Sequence, residues 1–79
     1  MVTPQDIKNW IEAGLPDASV QCEGDGAHFE AVIVSPAFEG KSLVQKHQLV
    51  YAALGDKMKE TIHALSMKTL TPAEAEQQS

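Results

Sequence analysis

Three side chains in this sequence, His63, His28 and Cys22, are of the types that bind transition metals and iron–sulfur clusters. The clearest candidate is His63, because it lies in the apolar run Ile62–Leu65, where an imidazole contributes little to packing. One ring nitrogen there could ligate a metal while a neighbour orients the other. A half-buried structural histidine with satisfied hydrogen bonds is the alternative, and the residues alone leave both interpretations open.

The number of suitable side chains limits the kind of site. A [2Fe–2S] cluster takes four ligands, mostly thiolates, whereas this chain has one cysteine and three histidines. The third histidine, His47, is one helical turn from Tyr51, a placement more typical of packing than of catalysis. The chain therefore cannot supply four good ligands by itself, and its single cysteine excludes an internal disulfide.

Lysines are concentrated in one part of a chain whose net charge is −5. From Lys41 to Lys68, five lysines stand against two carboxylates, whereas the remainder has one lysine against nine carboxylates. This asymmetry predicts a surface that meets an acidic partner, although a solvated mixed surface has the same composition. The absence of arginine and the acidic total argue against general nucleic-acid coating. The candidate residues for this surface are Lys41, Lys46, His47, Lys57 and Lys59.

Length and composition set the class of protein. Seventy-nine residues predict one domain, 1–79, with a single modest core. We expect a soluble cytoplasmic monomer, because the sequence has neither an apolar run of about 18 residues nor a signal-peptide pattern. It also has no nucleophile motif, glycine-rich phosphate loop or H-E-x-x-H motif, so we expect a protein that is not an enzyme.

Helix-start signals occur three times. Thr3 followed by Pro4 and the boxes at Ser42 and Thr71 each predict the first turn of a helix. The middle helix is predicted over Ser42–Leu54, with Gly55 as its end and a short helix over Asp56–Thr61 that turns Met58 inward. Apolar residues and one histidine recur in this helix at helical spacing, and they are Leu43, Val44, His47, Val50, Tyr51 and Leu54. The tail from about residue 76 is expected to be disordered.

Strands are predicted over Ala18–Glu23, Ala27–Ser35 and Ile62–Leu70, the first two joined by a turn at residues 24–26. The β-branched segment Val32–Val34 fits a strand that is buried on both faces or central in the sheet. The order α-β-β-α-α-β-α predicts an α+β fold in which helices cover one face of a three-stranded mixed sheet.

Several short motifs, in order, resemble the BolA-like family, and most closely its small bacterial YrbA/IbaG branch. The stronger ones are Phe38, Gly40, Lys46-His47, Val50, Ile62–Leu65 and Thr71-Pro72, and the weaker ones are His28-Phe29 and Val32–Ser35. The resemblance runs from about residue 4 to residue 74 and implies a fold like the type II KH domain. No GXXG loop, the KH element that clamps nucleic-acid backbone, is present.

The resemblance also implies a site and a partner. In BolA-like proteins the histidine at the position of His63 ligates a [2Fe–2S] cluster shared with a monothiol glutaredoxin and a glutathione. A second ligand commonly lies in the loop between the first two strands, where this chain has none, so the flanking His28 and Cys22 are the candidates, with His28 slightly favoured. A metal-free module that binds glutaredoxin is a further alternative.

A different function implied by the family is transcription regulation under stress, since BolA itself is described as a regulator. In this alternative, the Ser42–Leu54 helix would bind DNA. The chain departs from the family pattern at two places: it has Lys46 before His47, where arginine is common, and Ala75 where tryptophan is common. Loss of the indole removes an apolar anchor for the last helix.

Overall fold

Apart from one predicted short helix that does not form, helices and strands follow one another in the predicted order in the computed structural model, which describes residues 1–78. The helices are α1 (Pro4–Gly14), α2 (Leu43–Leu54) and α3 (Pro72–Gln77), and the strands are β1 (Ser19–Gly24), β2 (Phe29–Val34) and β3 (Leu65–Leu70). Two short 3-10 turns, Pro36–Phe38 and Ile62–Ala64, precede α2 and β3. The α+β class is therefore confirmed.

All three helices begin with a reciprocal capping box. In each box the N-cap hydroxyl accepts a backbone N–H from the third helical residue, whose side chain accepts the N-cap N–H in return. These bonds satisfy donors that would otherwise be unpaired, so the helix starts are fixed by local sequence. The pairs are Thr3 with Asp6, Ser42 with Gln45, and Thr71 with Glu74.

The sheet is mixed, with the strand order β1-β2-β3. Strand β1 pairs antiparallel with β2, and β2 pairs parallel with β3. Of the two interpretations of Val32–Val34, the central position is right and burial on both faces is wrong, because Val32 is 37% exposed. Only the alternate positions of β2, such as Ile33, point into the core.

The core lies between one sheet face and the two longer helices. Ile7 and Ile11 of α1 and Val50 and Leu54 of α2 are buried against that face. The two helices approach closely at Gly14, where a β-carbon would lie 2.9 Å from Ala53, so a larger residue would force them apart. No described helix is long and apolar enough to cross a membrane.

Helix α3 borders the other sheet face. Its Ala75 and the following Gln78 contribute to a shallow groove of about 350 Å³ there. The other lining residues are Ser19, Gln21, Val32, Val34 and Leu70. The prediction that helices cover one face therefore holds for α1 and α2 alone. Helical structure continues through Gln77, beyond the predicted start of a disordered tail, and Ser79 lies outside the described residues.

The predicted short helix over Asp56–Thr61 is wrong. Gly55, at φ +57°, ends α2, and successive turns follow in which the N–H groups of Lys57, Lys59 and Thr61 donate to the carbonyls three residues earlier. The bonds of Lys59 to Asp56 and Thr61 to Met58 are 3.2 and 2.9 Å long. A segment of about six residues after a glycine is too short to offset the cost of helix nucleation. Met58 is buried, as predicted.

The predicted strand boundaries differ from the observed ones by one residue or none, except at the starts of β3 and β2. Strand β3 begins at Leu65, not Ile62, because its partner β2 begins at Phe29 and the register pairs Phe29 with Leu65. Residues before Leu65 thus have no strand to pair with and form a 3-10 turn. Strand β2 starts late because the Asp25 carboxylate accepts the N–H groups of residues 27 and 28 and holds them in the turn.

Candidate functional site

His63 is the middle residue of the 3-10 turn before β3, and its side chain is exposed. Met58, which is buried in the core, anchors the turns that precede His63. The residues that follow these turns therefore lie close to the surface. Among residues 1–78 no side chain or backbone group forms a hydrogen bond with its ring. Both ring nitrogens therefore lack a hydrogen-bond partner among the described residues, and either can donate, accept or ligate.

His28 is the last residue of the β1–β2 turn and is also exposed. Asp25 Oδ1 accepts the backbone N–H groups of Ala27 and His28, each at 2.9 Å, and these two bonds, that from Ala27 first, lower the pKa of the Asp25 carboxyl. Because Phe29 points into the core, His28 points to the other side of the sheet, where its Nε2 lies 3.4 Å from Ser66 Oγ. The direction of that bond depends on the histidine tautomer.

Strand pairing brings the two histidines to the same end of the sheet. Phe29 pairs with Leu65, so His28 precedes β2 and His63 precedes β3 at the edge where these parallel strands begin. The rings approach that edge from different sides: His28 lies toward Ser66 on the outer face, and His63 lies beside Tyr51 of α2.

Cys22 differs from the histidines in place and chemistry. It lies in β1, which β2 separates from β3, and its partly buried side chain packs against the core from the face that also carries Val20. Burial, and secondarily the neighbouring Glu23 charge, raise the pKa of the Cys22 thiol. Since the thiolate is the form that binds metals, Cys22 is a poorer ligand here than an exposed cysteine would be.

A groove of about 400 Å³ opens beside His63. It lies between the C-terminal end of α2 and the turns that follow, and we refer to it as the His63 groove. Most of its surface is apolar, with charged groups at its rim. Its lining residues are Tyr51, Gly55, Asp56, Met58, Lys59, Ile62 and His63. This groove was not predictable from the sequence, because it depends on how the turns after Gly55 fold back.

The predicted partner-binding residues are not equivalent. Lys41, Lys57 and Lys59 are exposed and form no ion pair with a described residue, whereas His47 is half-buried. The Lys46 side chain is only 12% exposed, and its Nζ lies 3.2 Å from Glu74 Oε1. The Lys46 ammonium is therefore engaged in tying α2 to α3.

Three large apolar side chains of α2 are exposed. Leu43 and Val44 are 64% and 65% exposed and Tyr51 is 46% exposed, although helical spacing had grouped them with the core residues Val50 and Leu54. They lie on a flank of α2 that is turned away from the core. Lys46 is the only lysine of α2, so the helix offers no free ammonium to a phosphate backbone.

Fold and site together define an α+β domain with a three-stranded mixed sheet whose last strand follows an exposed histidine. The family model for BolA-like protein matches residues 12–74. The chain therefore belongs to the BolA-like family, as its motifs predicted.

Three similar proteins place the chain within this family. The acid stress protein IbaG of Escherichia coli is 39% identical over 70 residues, which cover 87% of this chain and 83% of IbaG, so a small bacterial type fits. SufE-like protein 1 of Arabidopsis thaliana is 43% identical over 75 residues, which cover 81% of this chain but only 20% of that protein. The structure of a bolA protein homologue from Coxiella burnetii superposes with a TM-score of 0.87 at 57% identity, covering 96% of this chain and 99% of that one.

Proposed function

We propose that this protein is a non-enzymatic accessory protein of iron–sulfur or iron handling. In this proposal it binds a monothiol glutaredoxin and shares a bridging [2Fe–2S] cluster with that protein and a glutathione. The observation that carries the proposal is the exposed, unpartnered imidazole of His63 at the edge where β2 and β3 begin.

The donor set fits a shared cluster better than a resident one. Among the described residues no group of three or more His, Cys, Asp or Glu side chains is arranged to hold a metal ion. One or two imidazoles from this chain would complete a set whose other ligands are the glutaredoxin cysteine and the glutathione thiol. His63 would hold the cluster, and His28 is favoured over Cys22 as the second ligand because of its exposure and its place at the same edge. The bound cluster would be a cargo or a redox group of the complex.

The relatives support a role of this kind. SufE-like protein 1 carries a region similar to this chain within a much longer protein, which is consistent with an iron–sulfur related role. The name of IbaG adds a link to acid stress. We therefore infer a cytoplasmic protein that acts with partners under stress, rather than a catalyst.

A metal-free interaction module is a second candidate, favoured by Leu43 and Val44, whose exposure suits contact with a protein surface. No comparable observation favours regulation of transcription through DNA binding, because the ammonium of Lys46 is occupied by Glu74. Size-exclusion chromatography with glutaredoxin in the presence of a chelator distinguishes the two protein-binding candidates. A complex that forms fully without iron supports the metal-free module.

The test of the proposed function is reconstitution of the cluster. The protein is mixed with a glutathione-loaded monothiol glutaredoxin, iron and sulfide, and visible absorption and circular dichroism are recorded. We expect a spectrum that differs from that of glutaredoxin alone and that reverts in His63→Ala. His47→Ala is the matched control, since it removes a histidine away from the edge. Spectra identical to glutaredoxin alone for wild type and both variants would contradict the proposal.

A further inference from the structure

The His63 groove has the size and chemistry of a small-ligand site. Its volume of about 400 Å³ lies in the range of roughly 300–1,000 Å³ that small-molecule sites occupy. Met58, which is buried, and the half-buried Ile62 supply apolar surface, and Tyr51 supplies an aromatic wall. The apolar area suits the methylene groups of a flexible ligand.

Opposite charges line the same groove. The Asp56 carboxylate and the Lys59 ammonium both lie among its lining residues, and both are exposed. In the described part of the chain neither side chain forms a hydrogen bond or an ion pair, with each other or with any other group. The Lys59 N–H donates to the Asp56 carbonyl at 3.2 Å, so one turn fixes the spacing of the two residues. A ligand with both an ammonium and a carboxylate is the natural complement.

We propose that the His63 groove binds the peptide part of glutathione. This inference rests on the proposed function, in which a glutathione thiolate is a cluster ligand. Glutathione has one ammonium, two carboxylates and a chain of methylene and amide groups. Its ammonium pairs with Asp56, one carboxylate pairs with Lys59, and its methylenes pack on Tyr51 and Ile62. His63 lies in the same groove, so a tripeptide held there has its sulfur near the imidazole.

The groove thereby gives this chain a direct part in selecting the thiol that completes the cluster. A thiol without the two charged ends, such as 2-mercaptoethanol, would lose both ion pairs and would be a poor substitute. Recognition of glutathione by this chain would add to the contacts that the glutaredoxin makes with the same molecule, because each protein would contact a different side of glutathione.

The test uses the isolated protein, labelled with nitrogen-15, and S-methylglutathione, which keeps both charged ends but cannot ligate iron. We expect saturable, millimolar-range shifts in the amide NMR spectrum, confined to residues of the groove. Lys59→Gln and Asp56→Asn should each weaken binding by roughly fivefold, as expected for one exposed charge-assisted contact. N-acetyl-S-methylglutathione, which lacks the ammonium, should bind wild type as weakly as S-methylglutathione binds Asp56→Asn.

The chain provides matched controls within the same turns. Lys57→Gln and Glu60→Gln make similar charge changes at exposed positions that do not line the groove, and they should leave binding unchanged. Unsaturable shifts, shifts spread over all lysines, or equal loss in Lys57→Gln and Lys59→Gln would overturn the inference. Because S-methylglutathione needs neither iron nor glutaredoxin, such failure leaves cluster sharing intact. Saturable binding combined with failed reconstitution would refute the proposed function instead.

Discussion

Phe29 and Leu65 are the first paired residues of two parallel strands, and this pairing sets the place of the candidate ligands. His28 stands one residue before Phe29 and His63 stands two residues before Leu65, so both imidazoles emerge at one edge of the sheet. Both side chains in the pair are buried, which fixes the register. The position of the sheet edge that carries the histidines is therefore fixed by core packing and not by a flexible loop.

The ion pair between Lys46 and Glu74 should make the stability of α3 depend on pH. The Thr71 N–H first, and the Lys46 ammonium second, lower the pKa of the Glu74 carboxyl below its ordinary value of 4.5. A carboxyl with a lowered folded-state pKa contributes stability above the unfolded value, and this contribution disappears as the pH falls through the folded value. Glu74→Gln should therefore destabilise the protein near neutrality and have little effect in acid.

Urea unfolding at about pH 7 and about pH 3 measures this difference. The control is Glu39→Gln, an exposed carboxylate with no described ion pair, which should change the midpoint little at either pH. A Glu74→Gln effect that stays constant or grows in acid would rule out the ion pair as its source.

Two buried hydroxyls in the same sheet region should respond in opposite ways to removal. Thr69 Oγ1 is buried and has no hydrogen-bond partner, whereas Ser35 Oγ donates to the Pro16 carbonyl at 3.0 Å and accepts the Ala37 N–H at 3.1 Å. Thr69→Val keeps the side-chain shape and removes an unsatisfied group, so it should stabilise the fold by about 1 kcal/mol.

Ser35→Ala is the comparison, and it should destabilise the fold by about 1–2 kcal/mol because it removes both hydrogen bonds of the buried hydroxyl, including the cap of the Pro36–Phe38 turn. Denaturant midpoints at constant m-value give both numbers. Destabilisation by Thr69→Val of the same size as that by Ser35→Ala would mean that the Thr69 hydroxyl has a partner in solution.

The groove beneath α3 marks the place where an apolar side chain is missing. Ala75 lines it together with Val32, Val34 and Leu70. Ala75→Trp should fill this space and stabilise the fold by about 1–2 kcal/mol, less than full burial of an indole because the groove is shallow. Ala73→Trp, on an exposed side of the same helix, is the matched control and should be nearly neutral. Equal effects of the two variants on the thermal midpoint would contradict this account.

Local signals in the sequence were sufficient for the helix starts, because each capping box is completed by residues three positions apart. The β-branched run Val32–Val34 indicated the central position of β2 but not which of its faces is buried, since Ile33 points into the core and Val32 is exposed. The start of β3 was not predictable in this way: Ile62 has the side chain of a strand residue, but its conformation depends on where the distant β2 begins. Pairing between segments that are distant in sequence cannot be recognised from a short stretch of residues.

One part of the candidate site is indicated by the sequence and another part is not. The type and motif of His63 predict a ligand there, and the exposure of its side chain suits this prediction. The groove beside His63 was not predictable, since its walls come from α2 and from turns that follow Gly55. Nor does the sequence indicate that Lys46 is engaged, because Glu74 is 28 positions away along the chain. The candidate site therefore includes residues that only folding brings together.

The most direct measurement concerns the bond between His63 and iron. The protein is prepared with nitrogen-15 in its histidines only, assembled with unlabelled glutaredoxin, glutathione and cluster, and reduced so that electron paramagnetic resonance detects nitrogen coupled to the cluster spin. We predict a nitrogen-15 coupling that persists in His47→Ala and disappears in His63→Ala. A complex whose cluster shows no nitrogen-15 coupling from this chain, or one that keeps it in His63→Ala, would contradict the account.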